Sequence, residues 1–152
     1  TAQGLTQMAE FQTDIIGLTA TFRKTVSESD VYLFAGITGD FSPNHVDEEF
    51  MRGTQYGGRI AHGALLVGYM SRASTMIVEK CVSVTSSTYP VSIGYDRTRF
   101  LKPVYIGDTI TVTYVMAAYD EARSRSSATI EITKGSSEVV ASAIHLMKWL
   151  NR

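Results

Sequence analysis

Two hydrophobic periods divide the chain near Thr85. Beyond it, apolar and β-branched residues alternate with polar ones through residues 91–100, 108–119, 124–133 and 138–149, which predicts four strands. Pro103, Gly107-Asp108, Asp120-Glu121 and Lys134-Gly135 separate them, and such short connections predict antiparallel neighbours. Before Thr85 the β-branched and aromatic residues of 18–26 predict one further strand. Ser27 then caps a short helix with acidic residues in its first turn; Val31, Phe34, Ala35 and Thr38 share one face, and Gly39 ends it. Residues 39–45 read as a loop bent at Pro43, and Asp47 caps a second short helix over 48–52. A long apolar helix follows from about His62 to Glu79, with Ala61, Gly63, Ala64 and Gly68 small enough for close packing on a sheet. One strand, then helices, then a block of strands predicts an α+β fold: one antiparallel sheet wrapped around one long helix.

The chain of 152 residues is long enough for one core, so residues 1–152 are expected to form a single domain, with 1–17 a loose lead-in. Fourteen basic and 15 acidic side chains leave a net charge of −1, which argues against coating nucleic acid or an anionic membrane by bulk charge. A single cysteine, Cys81, excludes an internal disulfide framework and any Cys-rich zinc site, and fits a packed residue better than a nucleophile. Residues 1–18 lack the basic start and apolar run of a secretion signal, and residues 60–78 are too interrupted by polar side chains for a membrane span. The expected location is the cytoplasm.

The familiar phosphate-loop, dinucleotide, nucleophile-elbow and zinc-protease signatures are missing. What remains is a polar cluster ahead of the long helix. Asp40 and His45 share one proline-bent loop, and a carboxylate beside an imidazole suits general acid–base work. Taken alone, the pair is more simply a loop aspartate bonding nearby backbone N–H groups beside an exposed histidine. At Arg59-Ile60-Ala61-His62-Gly63, the unpaired N–H groups of a helix start form a site for a carbonyl oxygen, which Gly63 allows to approach closely. The competing reading makes Gly63 a packing residue and His62 a satisfied buried histidine. The three histidines fit no standard metal-ligand spacing, so no metal is expected. Arg97, Arg99 and Lys102, or Arg52 and Arg59, are placed to meet phosphates or simply to face solvent.

Taken in order, Gly39-Asp40-Phe41-Ser42-Pro43-Asn44-His45-Val46-Asp47, Gly58-Arg59-Ile60-Ala61-His62-Gly63 and Phe100-Leu101-Lys102-Pro103-Val104-Tyr105-Ile106-Gly107-Asp108 resemble the MaoC-like hydratases, which include the (R)-specific enoyl-CoA hydratases. The resemblance covers about Phe22 to Leu150. It implies a hot-dog fold, a homodimer or higher homo-oligomer, and acyl-CoA bound near the subunit boundary. The family's Asp-x-Asn-Pro-x-His motif matches Asp40, Pro43 and His45, with Ser42 where the family has Asn. Gly63 matches the oxyanion-hole glycine. Ser71, roughly two turns further along the helix, falls where the family can place another serine near the site. The implied reaction is reversible syn hydration of a 2-enoyl-CoA to an (R)-3-hydroxyacyl-CoA, a lyase activity with no metal or redox cofactor. His45 is then the base, Asp40 the orienter and proton donor, and Gly63 the carbonyl-polarising amide. His62, Ser71, Arg59, Arg97 and Lys102 are expected to bind substrate. The alternatives are a hot-dog acyl-CoA thioesterase, a dehydratase acting on acyl carrier protein, and a non-catalytic acyl-CoA-binding subunit.

Overall fold

The computed structural model describes residues 15–81 and 87–152. Its elements run β1 (Thr19–Thr25), α1 (Glu28–Thr38), α2 (Pro43–Val46), α3 (Glu48–Arg52), α4 (Gly63–Lys80), β2 (Thr88–Phe100), β3 (Thr109–Asp120), β4 (Arg125–Lys134) and β5 (Glu138–Asn151). The fold is α+β. Five antiparallel strands form one sheet in the order β1-β3-β4-β5-β2.

Alternation decides which face the sheet presents. Ile110, Val112, Tyr114 and Met116 of β3 are buried, as are Ala128, Ile130 and Ile132 of β4 and Ala141, Ala143, Met147 and Trp149 of β5. Against that face α4 lays Leu66, Met70, Ala73 and Ile77, spaced for one side of a helix. Cys81, just past the helix end, is packed into the same core.

Three expectations change. Residues 15–17 are not loose: Ile15 is fully buried, and Gly17 N donates to Met116 O (2.8 Å). Residues 1–14 lie outside the described residues. The 39–45 segment is not all loop, because Pro43 opens α2 at its first position, where a missing N–H costs nothing. Finally, β2 and β3 are not neighbours although only residues 101–108 join them. β2 pairs with β5, and the joining segment crosses to the other side of the sheet, where β3 lies against β1. Tyr105 bridges to Ile60 on the way, and Gly107, at φ 97°, turns the chain so that its N–H donates to Val26 O (2.7 Å). The Gly107-Asp108 pair is therefore a turn within a crossover and not a hairpin between paired strands.

Candidate active site

The site assembles where the loop after α1 meets the start of α4. Gly39 closes α1 in the left-handed conformation, its N–H donating to Ala35 O. Thr38 Oγ1 accepts from Asp40 N (3.2 Å), and Asp40 Oδ1 accepts from Ser42 N (3.3 Å), so the Asp40 carboxylate braces its own loop. Ser42 precedes α2 without any side-chain cap bond. The one-turn α2 then carries Asn44 and His45 inward.

A second segment receives them. Ile60 N donates to Asn44 O (3.0 Å) and Ala61 N to Val104 O (2.7 Å), so residues 60–61 are clamped between α2 and the 101–108 crossover. His45 Nδ1 lies 2.7 Å from Ile60 O. A carbonyl only accepts, so Nδ1 carries the proton and the neutral ring keeps its lone pair on Nε2. Asn44 Nδ2 sits 3.3 Å from that Nε2 and donates to it. His45 is held below its ordinary value of 6.5, chiefly by burial and further by His62, against the raising effects of the Ile60 carbonyl and Asp40. The ring is therefore a neutral base near pH 7.

His62 caps α4 and is 1% exposed. Its ring stacks on His45, with centroids 3.7 Å apart and planes at 28°, and packs on Phe34 at 4.8 Å. Its Nε2 donates to Asp40 O (3.0 Å) and lies 4.0 Å from Asp40 Oδ2. One nitrogen or carboxylate oxygen from each of Asp40, His45 and His62 falls within 4.8 Å of the others. Two groups sharing one water stand roughly 4.5 Å apart, so this spacing suits a bridging water. For a metal, only the other nitrogen of each ring would remain, because His45 Nδ1 is committed to the Ile60 carbonyl and His62 Nε2 to the Asp40 carbonyl.

A cleft of about 370 Å³ opens beside this group, lined among others by Asn44, His45, Tyr56, Gly63, Phe100 and Lys102. Gly63 is the first residue of α4, so its N–H belongs to the unpaired first turn. The expected catalytic residues are thus distributed unevenly. His45 and Gly63 line the cleft, whereas Asp40, its side chain 51% exposed, is not among the lining residues.

Of the expected substrate contacts, Lys102 lines the cleft. His62 does not; it is a wall behind His45. Arg59 is occupied: its guanidinium meets Glu28 Oε1 (2.7 Å) and Glu48 Oε2 (2.9 Å), tying α1 to α3, and these partners raise its pKa. Ser71 is exposed on α4, outside the cleft lining. Arg97 is exposed in an irregularity of β2 between Asp96 and Arg99, with φ 51°, outside the cleft lining. Sequence reasoning passed over Asn44, Tyr56, Phe100 and the Ile60 carbonyl. Asn44 was discoverable as the neighbour of His45; the others reach the site only through long-range pairing.

A family model described as MaoC like domain matches residues 12–140. The chain is 41% identical over 98 residues to the (R)-specific enoyl-CoA hydratase of Rhodospirillum rubrum, covering 64% of this chain and 62% of that protein. It is 37% identical over 111 residues to the 3-hydroxybutyryl-CoA dehydratase of Methylorubrum extorquens, covering 72% and 65%. The matched stretch therefore spans less than two thirds of either relative. Among solved structures, the (R)-hydratase from A. caviae involved in PHA biosynthesis superposes with a TM-score of 0.76 over 88% of this chain and 95% of that one, at 23% identity, which shows the shared hot-dog fold. With the family model covering most of the residues and the loop and helix start of its motif in place, the chain belongs to the MaoC-like domain family.

Proposed function

We propose that the chain is an (R)-specific enoyl-CoA hydratase, adding water reversibly and syn across a 2-enoyl thioester. The observation that carries this reading is His45, its Nδ1 held by the Ile60 carbonyl, lining one cleft with the Gly63 helix start, with an Asp40 carboxylate oxygen within 4.8 Å of a His45 ring nitrogen. The relatives' names as hydratase and dehydratase support it.

The chemistry follows from the donors. The Gly63 N–H receives the thioester oxygen and draws electrons from the β-carbon. A water displaces the Asn44 amide from His45 Nε2, and its second contact is the Asp40 carboxyl. His45 takes one proton as the water oxygen bonds to the β-carbon, and negative charge passes to the thioester oxygen as an enolate. The proton taken by His45 passes through the Asp40 carboxylate to the α-carbon as the enolate collapses, so one water is consumed and the protein is unchanged. The reaction as written requires no metal or redox group.

Lys102, at the cleft, is our choice for a CoA phosphate contact, with Arg97 nearer the open edge; the paired Arg59 serves the scaffold. We also propose a homodimer across β2. This strand ends the sheet and exposes Tyr89, Val91 and Ile93, an open apolar edge of the kind that pairs with another chain.

Crotonyl-CoA separates the readings. Loss of enoyl absorbance without free thiol supports the hydratase. Thiol release makes the protein a thioesterase, and binding with neither makes it a carrier.

A further inference from the structure

One residue touches all three members of the proposed machinery without entering the cleft. His62 stacks on His45, donates from Nε2 to the Asp40 carbonyl, and is joined by its own peptide to Gly63. It is 1% exposed, and its Nδ1 has no partner among the described residues. With Nε2–H committed to a carbonyl, the buried Nδ1 faces protein and not the cleft. Such a ring is a poor ligand for substrate, since it has no surface to offer. It is well placed to hold the other groups in register.

We propose that His62 is the positioning residue of this site, locking the His45 ring plane by stacking and the Asp40 loop by hydrogen bonding, so that both face one water beside Gly63. The proposal rests on the hydratase reading for its kinetic effect, and its geometric content stands apart from that reading. An aromatic ring without nitrogens keeps the stack and loses the Asp40 bond. An amide side chain loses the stack and keeps a donor. The two contributions are therefore separable. The other titratable groups around His45 are Asp40 on the loop, with Lys102 and Tyr56 lining the same cleft. Neither variant replaces any of these groups, and His62→Phe alone frees the Asp40 loop from its bond to the ring.

The test compares His62→Phe and His62→Gln with the unsubstituted protein in two measurements. The first is an NMR titration of the His45 imidazole, with no substrate present. Removing the neighbouring imidazole in His62→Phe is expected to move the His45 midpoint upward, because His62 is one of the groups that holds it down. The second is steady-state hydration of crotonyl-CoA. Both variants should lose about 10- to 100-fold in kcat, with KM within about twofold, because only orientation is lost. In His62→Phe the acid limb of kcat/KM should move with the NMR midpoint. If one variant fails to fold, the other still reports its half of the contact. An unmoved midpoint in His62→Phe, or wild-type kcat in both variants, overturns the proposal. A moved midpoint in a protein that hydrates nothing leaves His62 as the positioning residue and removes the hydratase reading instead.

Discussion

Phe100 stands directly against Gly63. A β-carbon built on Gly63 would meet ring atoms Cε2, Cδ2 and Cζ of Phe100 at 2.5, 2.6 and 2.8 Å. The glycine therefore has two reasons to lack a side chain: it leaves the helix-start amide open, and it admits the ring at the end of β2. These reasons predict different rescue behaviour. Gly63→Ala should destabilise the fold by about 1 kcal/mol, at the low end for overpacking because the Phe100 ring is half exposed and can yield. Phe100→Ala in the same chain should remove that penalty in thermal melts. Hydration should stay impaired in the double variant, since the added methyl still crowds the carbonyl. Recovery of activity together with stability would reduce Gly63 to a packing residue.

The depressed protonation of His45 sets the acid side of the pH profile. Burial, the leading cause, holds it below 6.5, so the base remains neutral as pH falls through its ordinary range. The acid limb of kcat/KM for crotonyl-CoA should consequently lie below pH 6.5. Asn44→Ala should leave the Ile60 carbonyl contact intact and change KM less than kcat. A limb above pH 6.5 would mean that His45 is not the group being read.

Away from the cleft, His145 is buried between strands, its ring within 2.8 Å of both Ser92 Oγ and Tyr114 Oη and stacked on Tyr95 at 4.3 Å. Burial depresses it to about 4 from its ordinary 6.5. A histidine depressed in the folded state favours folding fully above the unfolded value, and that contribution is lost as pH falls toward the folded value. Stability should therefore decline between pH 6.5 and 4, by about 2–3 kcal/mol from this residue. Denaturant melts of His145→Gln should show a slope over that window shallower by up to one proton. An unchanged slope would contradict the assignment.

Lys134 staples the crossover that lines the cleft. Its Nζ donates to Pro103 O (2.9 Å) and Asp108 Oδ2 (3.2 Å), while Asp108 Oδ2 also accepts from Tyr105 N (2.9 Å). Lys134→Met should cost about 1–3 kcal/mol, the range for losing charged hydrogen bonds, and should raise KM because Lys102 and Phe100 adjoin the freed segment. Arg59→Met should lower the melting temperature with KM unchanged, and Lys102→Ala should raise KM severalfold with the melting temperature unchanged. The reverse pattern for those two would return Arg59 to the substrate.

Much of this was readable from residue order because local physics dominated it. The caps at Ser27 and Asp47, the stop at Gly39, and the alternation of β3, β4 and β5 each depend on neighbours within a few positions. The helix boundary at His62 was found to within one residue for the same reason. Strand order was not local. Whether residues 101–108 turn back or cross over depends on bonds to Val26 and Ile60, distant in sequence. The motif named Asp40, His45 and Gly63, but the roles of His62 and Arg59 turned on partners brought in by folding: a stacked ring in one case, two glutamates in the other. A charged or titratable side chain announces that it needs a partner, not which one it will find.

The most direct measurement is the hydration rate of crotonyl-CoA by Asp40→Asn and His45→Gln, each checked for an unchanged fold. The account predicts that each loses about 10²- to 10⁴-fold in turnover, and that the double variant loses little more, because the two act on one water. Wild-type rates in both folded variants would contradict it.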